Sequence, residues 1–158
     1  MKYTNANVEN LTEEFKNEVK KTIEENKGLF IYGDTGTGKT HAMHALSKGK
    51  GKVKNFVELL VEFRDHMQKG CYFSRIRDFV NEDYLFIDDI GAEKLSDFVI
   101  EFLYLVINKR YENEKRTVIS TNLSLEEFGK RYGDRLLSRI AEMCVIYEMK
   151  GEDRRLQR

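Results

Sequence analysis

Residues 33–40 read GDTGTGKT and match the pattern G-x-x-x-x-G-K-[ST] at every fixed position. This loop constrains the fold more than any other feature, because it holds phosphate only when a strand enters it and a helix leaves it. Both flanks are present: the apolar run LFIY precedes it and the helix-compatible stretch HAMHALSK follows. The loop is therefore expected to turn backbone N–H groups toward phosphate oxygens at a helix N-terminus, where the helix dipole favours an anion. Gly33, Gly36 and Gly38 permit left-handed backbone and close approach, with Asp34, Thr35 and Thr37 between them. Lys39 is expected to reach the β- and γ-phosphates and the Thr40 hydroxyl to ligate Mg²⁺, with His41 next along the helix. The alternative is a glycine-rich turn without a ligand, and the strand–loop–helix setting weighs against it.

The remaining chain has the organisation such a loop requires. YLFI from Tyr84, TVIS from Thr117 and CVIY from Cys144 are, like LFIY from Leu29, continuous runs where a half-exposed strand would alternate. Runs of this kind suit strands buried on both faces of a parallel sheet. VKNF from Val53 supplies a fifth strand. Helix-period apolar residues lie between the runs, at Leu11, Phe15, Val19 and Ile23, at Leu60, Phe63 and Met67, and at Leu95, Phe98, Val99, Phe102, Val106 and Ile107. Ser124 with Glu127 three positions on forms a capping box that opens another helix. The alternation predicts an α/β fold of three layers with a mainly parallel five-stranded sheet, binding ligands beyond the carboxyl ends of its strands.

At 158 residues, without proline or internal repeats, the chain is expected to be one domain over 1–158, with 1–27 as an N-terminal segment and helix. Basic and acidic residues balance at 27 each, so global charge gives no attraction to nucleic acid or a membrane surface. Any DNA contact must come from a local patch. No stretch approaches the ~18 apolar residues of a membrane span, and no signal peptide opens the chain, so a soluble cytoplasmic protein without a membrane partner is expected. Cys71 and Cys144 lie outside any C-x-x-C spacing and read as small buried thiols.

A second phosphate element is expected at the end of another buried strand. Asp88 and Asp89 follow Ile87 directly: Asp88 is placed to hold Mg²⁺, and Asp89 to orient or deprotonate an attacking water. Their plainer reading is a cap or a turn. Asn122, just past TVIST, is placed to reach a γ-phosphate or that water, and alone reads equally as a turn residue.

Together these motifs resemble the AAA+ ATPases, and within them the DnaC-like bacterial helicase loaders and the related IstB transposition helpers. The resemblance runs from YTNANVENL at Tyr3 through the phosphate loop, FIDDIGAEK, VISTNLS and GDRLLSRI to MKGEDRR. It implies a RecA-like P-loop core that binds ATP and Mg²⁺ and hydrolyses ATP; the chain also has no guanine-reading N-K-x-D motif. Position by position, it implies Lys39 and Thr40 at phosphate and Mg²⁺, Asp88 and Asp89 as the Walker B pair, and Asn122 as sensor 1. Arg139 is similar to the arginine finger that enters a neighbouring subunit's ATP site, with Arg135 the second candidate, and Tyr3 and Asn5 resemble the segment beside adenine. Read without the family, Arg135 and Arg139 are a basic helix face.

The resemblance further implies self-association with ATP at subunit interfaces, single-stranded DNA, and a replicative helicase as client in DNA replication, with a transposase as the alternative. Lys48, Lys50, Lys52 and Lys54 alternate with Gly49 and Gly51 in a basic loop that reads either as a DNA contact or as solvated surface. Three departures bear on these expectations. Asp89 stands where many members carry Glu, a longer acid. Only residues 1–32 precede Gly33, so no separate helicase-binding domain is expected. The chain stops soon after its last strand, so no lid is expected, with Arg154 or Arg155 as the stand-in for a lid arginine. They keep open a third reading, a non-catalytic ATP-binding adaptor that joins or blocks another ATPase's assembly.

Overall fold

The computed structural model describes residues 3–151; Arg154 and Arg155 lie outside them. A short 3-10 turn (Val8–Asn10) leads into α1 (Glu13–Glu24) and β1 (Gly28–Tyr32). Then follow α2 (Lys39–Ser47), β2 (Val53–Asn55), α3 (Phe56–Gln68), α4 (Tyr72–Val80) and β3 (Tyr84–Ile90). The chain continues through α5 (Asp97–Glu112), β4 (Arg116–Thr121), α6 (Leu125–Tyr132), α7 (Asp134–Met143) and β5 (Cys144–Glu148). The strands lie in the order β2-β3-β4-β1-β5, and every pairing is parallel.

Strand alternation divides the interior into two cores. Leu29, Ile31, Phe86 and Val118 point to the face covered by α1 and α2, packing with Phe15, Met43 and Leu46. Phe30, Leu85, Ile87 and Ile119 point to the opposite face, with Leu60, Phe63, Phe79, Phe102, Val106, Phe128 and Ile140 from α3 to α7. Each such side chain contributes about 1.5–3 kcal/mol by burial, which is why the three central strands read as continuous apolar runs. The helix starts are set by local chemistry: the side chains of Thr12, Asn55, Ser96 and Ser124 accept N–H bonds from Phe15, Glu58, Val99 and Glu127.

Several expectations are corrected. CVIY forms an edge strand whose Val145, Ile146 and Tyr147 are only half-buried, because β5 has a strand neighbour on one side alone. Phe56 is the first residue of α3 instead of the end of a strand, since Asn55 caps the helix. Leu95 precedes α5, which Ser96 caps. β3 runs beyond Ile87 to Ile90. Cys144 is buried, but Cys71 is half-buried with its Sγ 3.6 Å from His66 Nδ1. Of the four lysines, Lys54 pairs with Glu82 at 2.8 Å, Lys50 lies over the Tyr84 ring and Lys48 donates to Thr4 O, so most of that loop is tied to the protein itself. Among the described residues no helix is long and apolar enough to cross a membrane.

Candidate phosphate-binding and hydrolytic site

The glycine loop leaves β1 at the carboxyl edge of the sheet. Gly33 has φ +149°, and a Cβ there would lie 2.2 Å from the Met149 carbonyl, so only glycine fits where the chain after β5 closes on the loop. That closure is a hydrogen bond from Met149 N–H to Tyr32 O, 2.7 Å. Within the loop, the Thr37 hydroxyl donates to Asp34 O at 2.9 Å. Lys39 Nζ donates to the carbonyls of Gly33 and Asp34, both at 2.7 Å, which curls the buried lysine back against its own loop. Gly38 caps α2 at φ +101° with no side-chain acceptor, the arrangement anions exploit at helix N-termini. Asp34 and Thr35 are exposed, Gly36 and His41 half-buried.

The carboxylates meet this loop through β3. The Thr40 hydroxyl donates to Asp88 Oδ2 at 2.9 Å, joining the first turn of α2 to the strand. Pairing of β3 with β4 passes from Ile87–Ile119 to Ile90–Thr121, so β3 carries one extra residue, a β-bulge. Asp89 takes up the bulge with φ +63°, a conformation that costs a non-glycine residue about 1 kcal/mol or more. Asn122 lies one residue past β4, exposed, with its Nδ2 3.4 Å from Asp89 Oδ1. Asp88, Asp89, Asn122, Lys39 and Thr40 are thus gathered at the carboxyl ends of the adjacent strands β3, β4 and β1.

The other candidates lie apart. Tyr3 stacks on His44 of α2, with ring centroids 4.5 Å apart, and Asn5 is exposed. A recess beside the loop is lined instead by Leu11, Thr12, Phe15, Thr37, His41 and Tyr147. Arg139 rests its guanidinium 4.5 Å over the Tyr111 ring, whose hydroxyl donates to Glu142 at 2.6 Å. Arg135 is exposed beside Tyr104, whose phenol is drawn below its usual range by hydrogen bonds from Asn108 and then Arg135. Both arginines thus face α5, Arg139 at Tyr111 and Arg135 at Tyr104.

Two buried polar groups on and just after the strands that carry the site escaped sequence reasoning. Ser120, buried in β4, accepts the Asp89 N–H at 2.9 Å and donates to Asp88 Oδ1. The signal was a hydroxyl inside an apolar run, where it needs partners. Glu93, also buried, accepts Gly91 N–H at 2.8 Å and is held by Tyr132 and Arg131 of α6. Burial, then the bond to Glu93, pushes the Tyr132 phenol well above its usual value. No local pattern brings residues so distant in sequence together.

Comparison with known proteins agrees with this geometry. The family described as IstB-like ATP binding protein matches residues 16–158. An ATP-binding protein of insertion sequence IS5376 from Geobacillus stearothermophilus is 30% identical over 85% of this chain and 58% of its own length. The replicative helicase loader DnaI of Bacillus subtilis (strain 168) is 26% identical over 82% of this chain and 48% of its own length. The chain thus spans about half the length of these curated relatives. The crystal structure of the DnaC helicase loader superposes with a TM-score of 0.82 at 27% identity, covering 94% of this chain and 99% of that one. On the match across residues 16–158 and the shared P-loop architecture, this chain belongs to the IstB-like ATP-binding family of AAA+ proteins.

Proposed function

We propose that the protein hydrolyses ATP with Mg²⁺ in a self-assembled form and uses the cycle to place a client on DNA. The observation that carries this reading is the convergence of Lys39, Thr40, Asp88, Asp89 and Asn122 at the carboxyl ends of three adjacent strands. The donor set suits Mg²⁺: a hydroxyl and a carboxylate supply few, hard oxygens, as a cation that keeps most of its waters prefers. Thr40 and Asp88 would hold it, and once bound it neutralises charge on the β- and γ-phosphates. Lys39 exchanges its loop carbonyls for phosphate oxygens. The Asp89 carboxylate, steadied by Asn122, accepts a proton from the attacking water. The partly apolar recess of Leu11, Phe15, His41 and Tyr147 receives the adenine. Arg139, which lies over Tyr111 of α5, neutralises the transition state in a neighbour's site.

For the client we favour a replicative helicase loaded onto single-stranded DNA, supported by the likeness to DnaI and to the DnaC loader. A transposase is the second reading, favoured by the family match and by the insertion-sequence relative. Co-purification with one or the other separates them. The test of the first statement is ATP turnover across a protein concentration series with and without single-stranded DNA, against Lys39→Ala. Turnover per subunit that rises with concentration supports the assembled ATPase. ATP binding with turnover at the Lys39→Ala level refutes it and leaves the adaptor reading.

A further inference from the structure

We infer that Ser120 is a positioning residue that holds both acidic residues of the candidate site through one hydroxyl, Asp88 by its carboxylate and Asp89 by its backbone N–H. The inference rests on the hydrolytic reading above for its catalytic consequence, though not for its geometry. Ser120 is 1% exposed, in the middle of the sheet. Its Oγ accepts the Asp89 N–H at 2.9 Å and its proton goes to Asp88 Oδ1. Asp88 is then bonded at both oxygens, by Ser120 and by Thr40 at 2.9 Å, so the carboxylate plane has a single orientation.

The two bonds do different things. In a regular strand adjacent side chains point to opposite faces, so Asp88 and Asp89 would be separated by the sheet. The bulge between Ile87 and Ile90 breaks that alternation, with Asp89 at φ +63° and its N–H bonded to a side chain instead of a strand carbonyl. Ser120 supplies the acceptor for that N–H. Its neighbour Thr121 secures the far side of the bulge, donating to Ile90 O at 2.6 Å. A hydroxyl is the one small group that accepts and donates together; alanine does neither, and threonine does both.

Amide exchange on the full chain, free of nucleotide and metal, reads the geometry directly. Ser120→Ala should lower Asp89 N–H protection by about tenfold or more, with Ile119 in the same strand unchanged, and Ser120→Thr should keep it. With ATP and Mg²⁺, Ser120→Ala should bind ATP within about threefold of the parent yet turn over about 10–100-fold more slowly, as loss of a supporting hydrogen bond behind a ligand does. Ser120→Thr should restore turnover. Unchanged Asp89 protection in folded Ser120→Ala overturns the inference, and so does lost protection with unchanged turnover. If the parent itself turns over no faster than Lys39→Ala, the hydrolytic reading fails, while the exchange result still decides the placement of Asp89.

Discussion

Arg110 is the largest fully buried side chain among the described residues, and its guanidinium donates to neutral acceptors. Nε donates to Thr117 Oγ1 at 2.8 Å, Nη1 to the carbonyls of Val80 and Glu82 at 2.9 and 2.6 Å, and Nη2 to Arg116 O at 2.7 Å. From the last turn of α5 it therefore ties the end of α4 to the starts of β3 and β4. Burial pushes its pKa down to about 10, against the pull of Glu82 and Asp83, so the charge survives at neutral pH. Arg110→Met fills much of the volume but leaves four acceptors unpaired, each costing about 1–3 kcal/mol. A loss of about 3 kcal/mol or more is expected, which lowers the melting temperature by about 6–12 °C in a chain of this size. Thermal unfolding checks it; a shift under about 2 °C would show that water replaces the guanidinium at little cost.

At the scale of elements, α2 carries a second function besides the phosphate loop, because the N-terminal segment is seated on it. His44 stacks on Tyr3 with an interplanar angle of 9°, and Ala6 N–H closes a turn on Tyr3 O at 3.0 Å. Burial holds the His44 pKa below its usual 6.5; the Asp88 charge opposes this and His41 reinforces it. A histidine whose folded pKa is depressed contributes stability above its unfolded value, and that stability is lost as pH falls through the folded value. The segment should therefore loosen on acidification below about pH 6.5. The protection factor of the Ala6 amide should fall between pH 7.5 and pH 5, and His44→Phe, which keeps the stack without the charge, should remove the dependence. An equal fall in His44→Phe would assign it to another group.

For the whole molecule, the proposed reading makes activity a property of assemblies, with Arg139 serving the phosphate loop of a neighbouring copy. Its guanidinium is held against α5, over the Tyr111 ring. On the proposed reading Arg139→Ala and Lys39→Ala are each inactive alone, with a loss of about 10³-fold or more for the arginine. Mixed together they should recover activity, since a Lys39→Ala subunit can lend Arg139 to the intact loop of its neighbour. Turnover measured on mixtures checks this; no recovery at any ratio would mean that Arg139 does not act across an interface.

Much of this molecule could be read along the chain because the interactions concerned are local. A strand buried on both faces must be apolar at every position, a phosphate loop must spend its glycines where side chains would obstruct, and a helix start needs its cap within three residues, so β1, β3, β4, the loop and the Ser124 cap were all legible. The edge position of β5, the separate helix α4 and the exposure of Cys71 were not, because burial there depends on which elements become neighbours. The same holds for the finer parts of the site. That the alternation of β3 breaks at Asp88 and Asp89 follows from a bulge whose Asp89 N–H meets Ser120, 31 residues away in the chain, and that Glu93 is held by Arg131 and Tyr132 follows from α6 lying against the loop after β3. Periodicity records what a residue does for its own element; hydrogen bonds between elements exist only once the sheet order β2-β3-β4-β1-β5 has brought their donors and acceptors together.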